Sequence, residues 1–169
     1  MAEIDLRNEE LLENENEDTQ KDRYLTFKIA HEEYGIEIRY VVEIIGMYKI
    51  TPIPEVPSFV KGVINLRGKV IPVIDIRLRF NMDFKEYDER TCIIVVKMNN
   101  TIVGLIVDTI NEVVEIPESQ VDQPTSLSQN KKNKFVQGLG KVEESVKILL
   151  DINKLLKDEE LAAISAVEE

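Results

Sequence analysis

The feature that most constrains this chain is an internal repeat. "EYGIEIRYVVEII" (33–45) lies over "IVGLIVDTINEVV" (102–114) at an offset of 69, which brings Gly35 onto Gly104, Ile36 onto Leu105, Val41 onto Ile110 and Glu43 onto Glu112. The preceding runs "YLTFKI" (24–29) and "IIVVKM" (93–98) match at the same offset. Further on, "FVKGVINLRGKVIPVIDI" (59–76) lies over "FVQGLGKVEESVKILLDI" (135–152) at an offset of 76, pairing Phe59 with Phe135, Gly62 with Gly138 and Asp75 with Asp151. Short apolar matches arise by chance, but two blocks in the same order with one loop-sized change of spacing point to a duplication. The seven extra residues fall in the polar stretch "PESQVDQPTSLSQNKKNK" (117–134) of the second copy.

Each copy reads as five short strands, in the first copy 24–30, 33–38, 47–53, 60–67 and 69–75, from β-branched enrichment, alternation and Gly or Pro punctuation. A helical turn is expected within "IRYVVEII" (38–45). Five short strands laid flat leave long unpaired edges, and closing them into a small barrel removes most of those edges. The expected fold is therefore mainly β: two five-stranded barrels related by internal pseudo-symmetry, with short helices and a C-terminal helix. Asp75 and Asp151 each end a strand and suit the N-cap of the short helix that follows, "IRLRF" and "INKLL". Leu155, Leu156, Ile164 and Val167 carry helical spacing near the end.

The net charge of −11 belongs to the tails. Residues 1–22 hold nine acids against two bases, and 158–169 hold five acids and no base, leaving 18 acids and 19 bases between 23 and 157. The chain divides into an acidic N-terminal tail expected to be disordered (1–22), a folded body (23–157, with halves at roughly 23–90 and 91–157) and a helical C-terminal tail (158–169). A near-neutral body lacks the basic footprint of a nucleic-acid binder. A small-barrel nucleic-acid-binding module is the alternative reading, with a local patch at Lys131, Lys132 and Lys134 as its only candidate. The N-terminus has neither a basic start nor an apolar core, and no apolar run approaches the ~18 residues of a membrane span. A soluble cytoplasmic protein is expected.

Residues that carry chemistry are scarce. One Cys (Cys92) and one His (His31) exclude a disulfide framework and a Cys/His zinc cluster. His31 sits in a strand-to-strand turn, and Cys92 reads as a small buried hydrophobe with no base beside it. "LRGKV" (66–70) lacks the earlier glycine and the following Ser or Thr of a phosphate loop. No cofactor, no metal and no catalytic residue is expected.

The repeat separates what the fold needs from what it does not. Asn65-Leu66-Arg67-Gly68 in the first copy stands over Lys141-Val142-Glu143-Glu144 in the second, so the strands form without it. Glu43 and Glu112 are equivalent acids, yet only Glu43 has an arginine, Arg67, in its own copy where the other has Glu143. Arg67 is either a polar hairpin turn or a partner-facing residue held by Glu43.

"FVKGVINLRGKVIPVIDIRLRF" (59–80), preceded by "EYGIEIRYVVEIIG" and followed by "VGLIVDTINEVVEI", resembles the CheW family of chemotaxis coupling proteins from about Tyr24 to the helix after Asp151. The resemblance implies two SH3-like barrels about a shared core and a non-catalytic adaptor. Such an adaptor couples methyl-accepting chemoreceptors to the histidine kinase CheA, so that receptors control autophosphorylation. It implies a cytoplasmic protein recruited to membrane-associated receptor arrays, without direct membrane contact. Its receptor partner is a helical hairpin lying in a groove that includes Leu25, Ile38, Val41, Ile44 and Ile110, with Asn65, Arg67 and Gly68 at the rim and Glu43 bracing Arg67. Core packing is the competing role for each of these aliphatics. Leu127, an apolar residue in the inserted loop, is the candidate contact with the regulatory domain of the kinase.

Overall fold

The computed structural model describes residues 20–98, 100–123 and 134–155. The first repeat supplies β1 (Arg23–Ile29), β2 (Glu32–Glu37), a 3-10 turn (Ile38–Tyr40), β3 (Val41–Ile45), β4 (Val60–Leu66), β5 (Lys69–Asp75) and a one-turn helix α1 (Ile76–Arg79). The second supplies β6 (Cys92–Met98), β7 (Thr101–Val107), β8 (Thr109–Glu115), a 3-10 turn (Glu118–Gln120), β9 (Val121–Asp122), β10 (Val136–Val142), β11 (Ser145–Leu150) and α2 (Ile152–Leu155). Residues 1–19 and 156–169, which hold all but the last three residues of the N-terminal tail and the whole C-terminal tail, lie outside the described residues.

One strand falls elsewhere than expected. The third strand of the first copy is Val41–Ile45, and 47–53 contributes only an isolated bridge between Thr51 and Val63. Val41, Val42, Ile44 and Ile45 are β-branched, so the helical turn stops short of them at Tyr40. Pro52 has no N–H to donate to a ladder, which limits pairing in 47–53.

The strands form a six-stranded sheet, β8-β1-β2-β11-β10-β9, and a five-stranded sheet, β3-β6-β7-β5-β4. Each takes the first two strands of one repeat and the later strands of the other. Replacing every strand by its repeat mate turns one order into the other, with the Thr51 bridge standing where β9 stands. The registers obey the same rule: Leu25 pairs with Ile36 as Ile94 pairs with Leu105, and Leu149 with Gly35 as Val73 with Gly104. Even the irregularities repeat, at Val60/Gly62 and Val136/Gly138. Gly62 is required there, since its φ is +144° and a Cβ would lie 2.1 Å from the Thr51 carbonyl oxygen. Neither sheet closes its ladder: β3 and β4, like β8 and β9, are end strands and do not pair. The expected closed barrels are thus open sheets, because the segment between β3 and β4 pairs at one residue and β9 is two residues long.

Both sheets pack their apolar faces on one shared core. Leu25, Phe27, Ile36 and Leu150 of the six-stranded sheet meet Val60, Ile74, Ile94, Val96 and Leu105 of the five-stranded sheet. A smaller cluster lies within each sheet, around Ile71, Val73 and Ile93 in one and around Tyr24, Ile116 and Leu149 in the other. Asp75 caps α1 by accepting from the Leu78 N–H at 3.3 Å, and Asp151 accepts from the Asn153 N–H at 2.9 Å. The capping roles expected for both aspartates are present.

Candidate functional site

The stretch singled out in the sequence is the β4–β5 hairpin. Leu66 and Lys69 close the ladder, so Arg67 and Gly68 are a two-residue loop. Their φ values are +52° and +86°, both positive as a type I′ turn requires. Asn65 braces this turn, its side-chain oxygen accepting from the Gly68 N–H at 2.8 Å. The Arg67 side chain, two-thirds exposed, reaches back to β3 and donates from Nη2 to Glu43 Oε2 at 2.5 Å. That hydrogen bond, reinforced by the carboxylate charge, raises the guanidinium pKa above its ordinary value. The pair therefore links the end strand β3 to the turn that follows the other end strand, β4.

In the second repeat Glu143 has the same positive φ, +55°, without the guanidinium. Lys141, the mate of Asn65, instead pairs with Asp122 at 3.0 Å. The turn explains the backbone at 67 but does not explain the arginine. An ion pair this exposed adds little stability, and what it does is fix where a planar five-donor group points.

The aliphatic candidates sort by depth. Leu25 is 2% exposed, paired with Ile36 on one side and Val113 on the other, and belongs to the shared core and not to the surface. Ile38, Val41 and Ile110 are half-buried against the shared core. Val41 pairs with Val96 as its mate Ile110 pairs with Phe27, on β3 and β8 at corresponding ends of the two sheets. Ile44 stands 43% exposed on β3, next to the more exposed Val42. Sequence reasoning missed Val42, Tyr48 and Val113, all large and exposed. For Val113 the signal was available, since it is the repeat mate of Ile44. Leu127 lies outside the described residues.

His31 is exposed in the β1–β2 turn, and burial pushes the Cys92 thiol above its ordinary pKa, away from the thiolate a nucleophile needs. Among the described residues no group of three His, Cys, Asp or Glu side chains is placed to hold a metal ion. No helix among them is long and apolar enough to cross a membrane.

Two pseudo-symmetric open sheets on a shared core, with one hairpin arginine oriented by a glutamate of the neighbouring end strand, define a two-sheet β module. The CheW-like domain family matches residues 23–160. The chain is similar to the chemotaxis protein CheW of Klebsiella aerogenes, 38% identical over 144 residues, which cover 85% of this chain and 87% of that protein. It is similar to the chemotaxis protein CheW of Helicobacter pylori at 35% identity, covering 80% of this chain and 81% of that one. The crystal structure of the scaffolding protein TtCheW from Thermoanaerobacter tengcongensis superposes with a TM-score of 0.75 at 34% identity, covering 82% of this chain and 94% of that one. The chain belongs to the CheW-like domain family, and the CheW proteins it is similar to are non-catalytic scaffolds of chemotaxis.

Proposed function

We propose that this protein couples chemoreceptors to the histidine kinase CheA, with the receptor's helical hairpin lying along the half-buried row Ile38, Val41 and Ile110. Leu25 belongs to the core on which that row packs, Ile44 extends it outward, and Asn65, Arg67 and Gly68 form its polar rim, with Glu43 holding Arg67. The single observation that supports this reading most is the 2.5 Å Arg67–Glu43 pair, an exposed ion pair that the fold does not require and the second repeat lacks. An apolar strip with polar anchors at its edge is the chemistry of helix-in-groove recognition. Leu127 is the candidate contact with the kinase's regulatory domain. Binding both partners would recruit the protein to receptor arrays.

The test is co-sedimentation of a receptor cytoplasmic fragment with CheA and this protein, followed by kinase autophosphorylation. The expected result is receptor-dependent activation that Arg67→Glu abolishes while its circular dichroism and melting temperature stay unchanged. Normal activation by the folded Arg67→Glu protein would overturn the role given to the arginine.

A further inference from the structure

Where the two repeats meet lies a charged residue that the rim does not use. Arg79 ends α1 and is 8% exposed. Its guanidinium carbon sits 4.5 Å from the ring centroid of Phe59 and 4.6 Å from that of Phe135. These phenylalanines are repeat mates, one leading into β4 and the other into β10. Their carbonyls accept from the Asp75 and Asp151 N–H groups, also mates, at 2.8 and 2.9 Å. Arg79 Nε donates to the Leu155 carbonyl at 2.5 Å, and Leu155 stands 76 residues on, at the position equivalent to Arg79 itself. Arg79 therefore lies where the pseudo-twofold relates the halves, between a ring from each.

Leucine holds the equivalent place in the second repeat, so this backbone accepts an apolar side chain. Burying a guanidinium carries a desolvation cost that burying leucine does not, so burial alone does not account for the arginine. A guanidinium supplies what leucine lacks: a flat plate that holds two rings at a fixed spacing and a directed hydrogen bond to the other half. Val41 belongs to the five-stranded sheet and Ile110 to the six-stranded sheet, and both pack on the core that contains Phe59, Phe135 and Leu155. The separation of Val41 from Ile110 follows the placement of one sheet on the other.

We infer that Arg79 is a positioning residue that fixes the two sheets relative to each other and so sets the width of the Val41–Ile110 seam for a helical partner. The partner assignment rests on the proposed receptor-coupling function, whereas the placement of the sheets does not. Two readouts test it on the full chain. In a Cys92→Ser background, spin labels at Ile44→Cys and Val113→Cys, both on exposed mates, report the distance across the seam. Arg79→Leu is expected to broaden or shift that distribution by several ångströms while the protein keeps the parent's circular dichroism spectrum and unfolds cooperatively. The same variant is expected to bind a receptor cytoplasmic fragment at least tenfold more weakly. An unchanged distance distribution, or a loss of cooperative unfolding that accounts for the lost binding, overturns the inference. Absence of receptor binding by the unmodified protein overturns the proposed function instead, and leaves the spin-label result to decide the role of Arg79.

Discussion

One buried ion pair shows how two repeats with the same backbone came to differ in side chains. Lys147 on β11 is buried and meets the Glu33 carboxylate on β2, across the parallel pairing of those strands. Burial, and secondarily the charge of Lys28, lowers the Lys147 pKa. At the equivalent positions of the other sheet stand Ile71 and Ile102, packed in its own cluster. The backbone thus accommodates either an ion pair or two isoleucines at this crossing. Replacing both charges, Glu33→Ile with Lys147→Ile, is expected to leave stability unchanged or raise it by about 1–4 kcal/mol. Lys147→Ile alone leaves a half-buried carboxylate without its partner and is expected to cost on the order of 2 kcal/mol. Urea denaturation of the three proteins checks this. A double variant less stable than the single one would show that the ion pair does more than fill space.

At the scale of the element, the β4–β5 hairpin separates turn from recognition. Positive φ at both central positions is what Asn-Gly adopts most readily, so Arg67→Asn keeps the turn and removes only the guanidinium. That variant is expected to melt at or slightly above the parent temperature and to lose receptor-dependent kinase activation. Retained activation would return Arg67 to the status of a turn residue. The positions of most strands and the two caps were legible beforehand because a repeat written twice in one sequence marks its own equivalent positions, whereas the pairing of strands across the two copies was not. The location of the third strand was not legible: Val41–Ile45 and 47–53 are both apolar, and the choice fell to Pro52 and to pairing with β6, a partner 50 residues away. At the candidate site Arg67 and Glu43 were legible from asymmetry, as was the kinship of Val41 and Ile110. The depth of Leu25 was not, since an aliphatic in an alternating strand reads the same whether it packs in the core or lines a surface.

At the scale of the molecule, the exchange of strands leaves the halves joined by more than the shared core, and besides the Lys147–Glu33 pair a second junction is ionic. Arg77 on α1 donates to Asp108, at the β7–β8 corner of the other repeat, from Nε at 2.8 Å and from Nη2 at 2.5 Å. The Ala30 N–H, at the β1–β2 turn, donates to the same carboxylate at 2.8 Å. The repeat mates of Asp108 and Arg77 are Arg39 and Asn153, so the junction exists on one side only. Burial by itself would raise the Asp108 pKa, but the Arg77 hydrogen bond, the Ala30 N–H and the guanidinium charge together hold it below its ordinary 3.8. A carboxylate depressed in this way contributes stability that is complete well above its unfolded pKa and is lost as pH falls through its folded one. Asp108→Asn is therefore expected to cost about 2 kcal/mol at neutral pH, and the gap in melting temperature between the two proteins is expected to narrow steadily below about pH 4. A series of thermal melts from pH 7 to pH 2.5 measures that gap directly. A gap that stays constant across the range would mean that the junction acts through packing and not through the charge on Asp108.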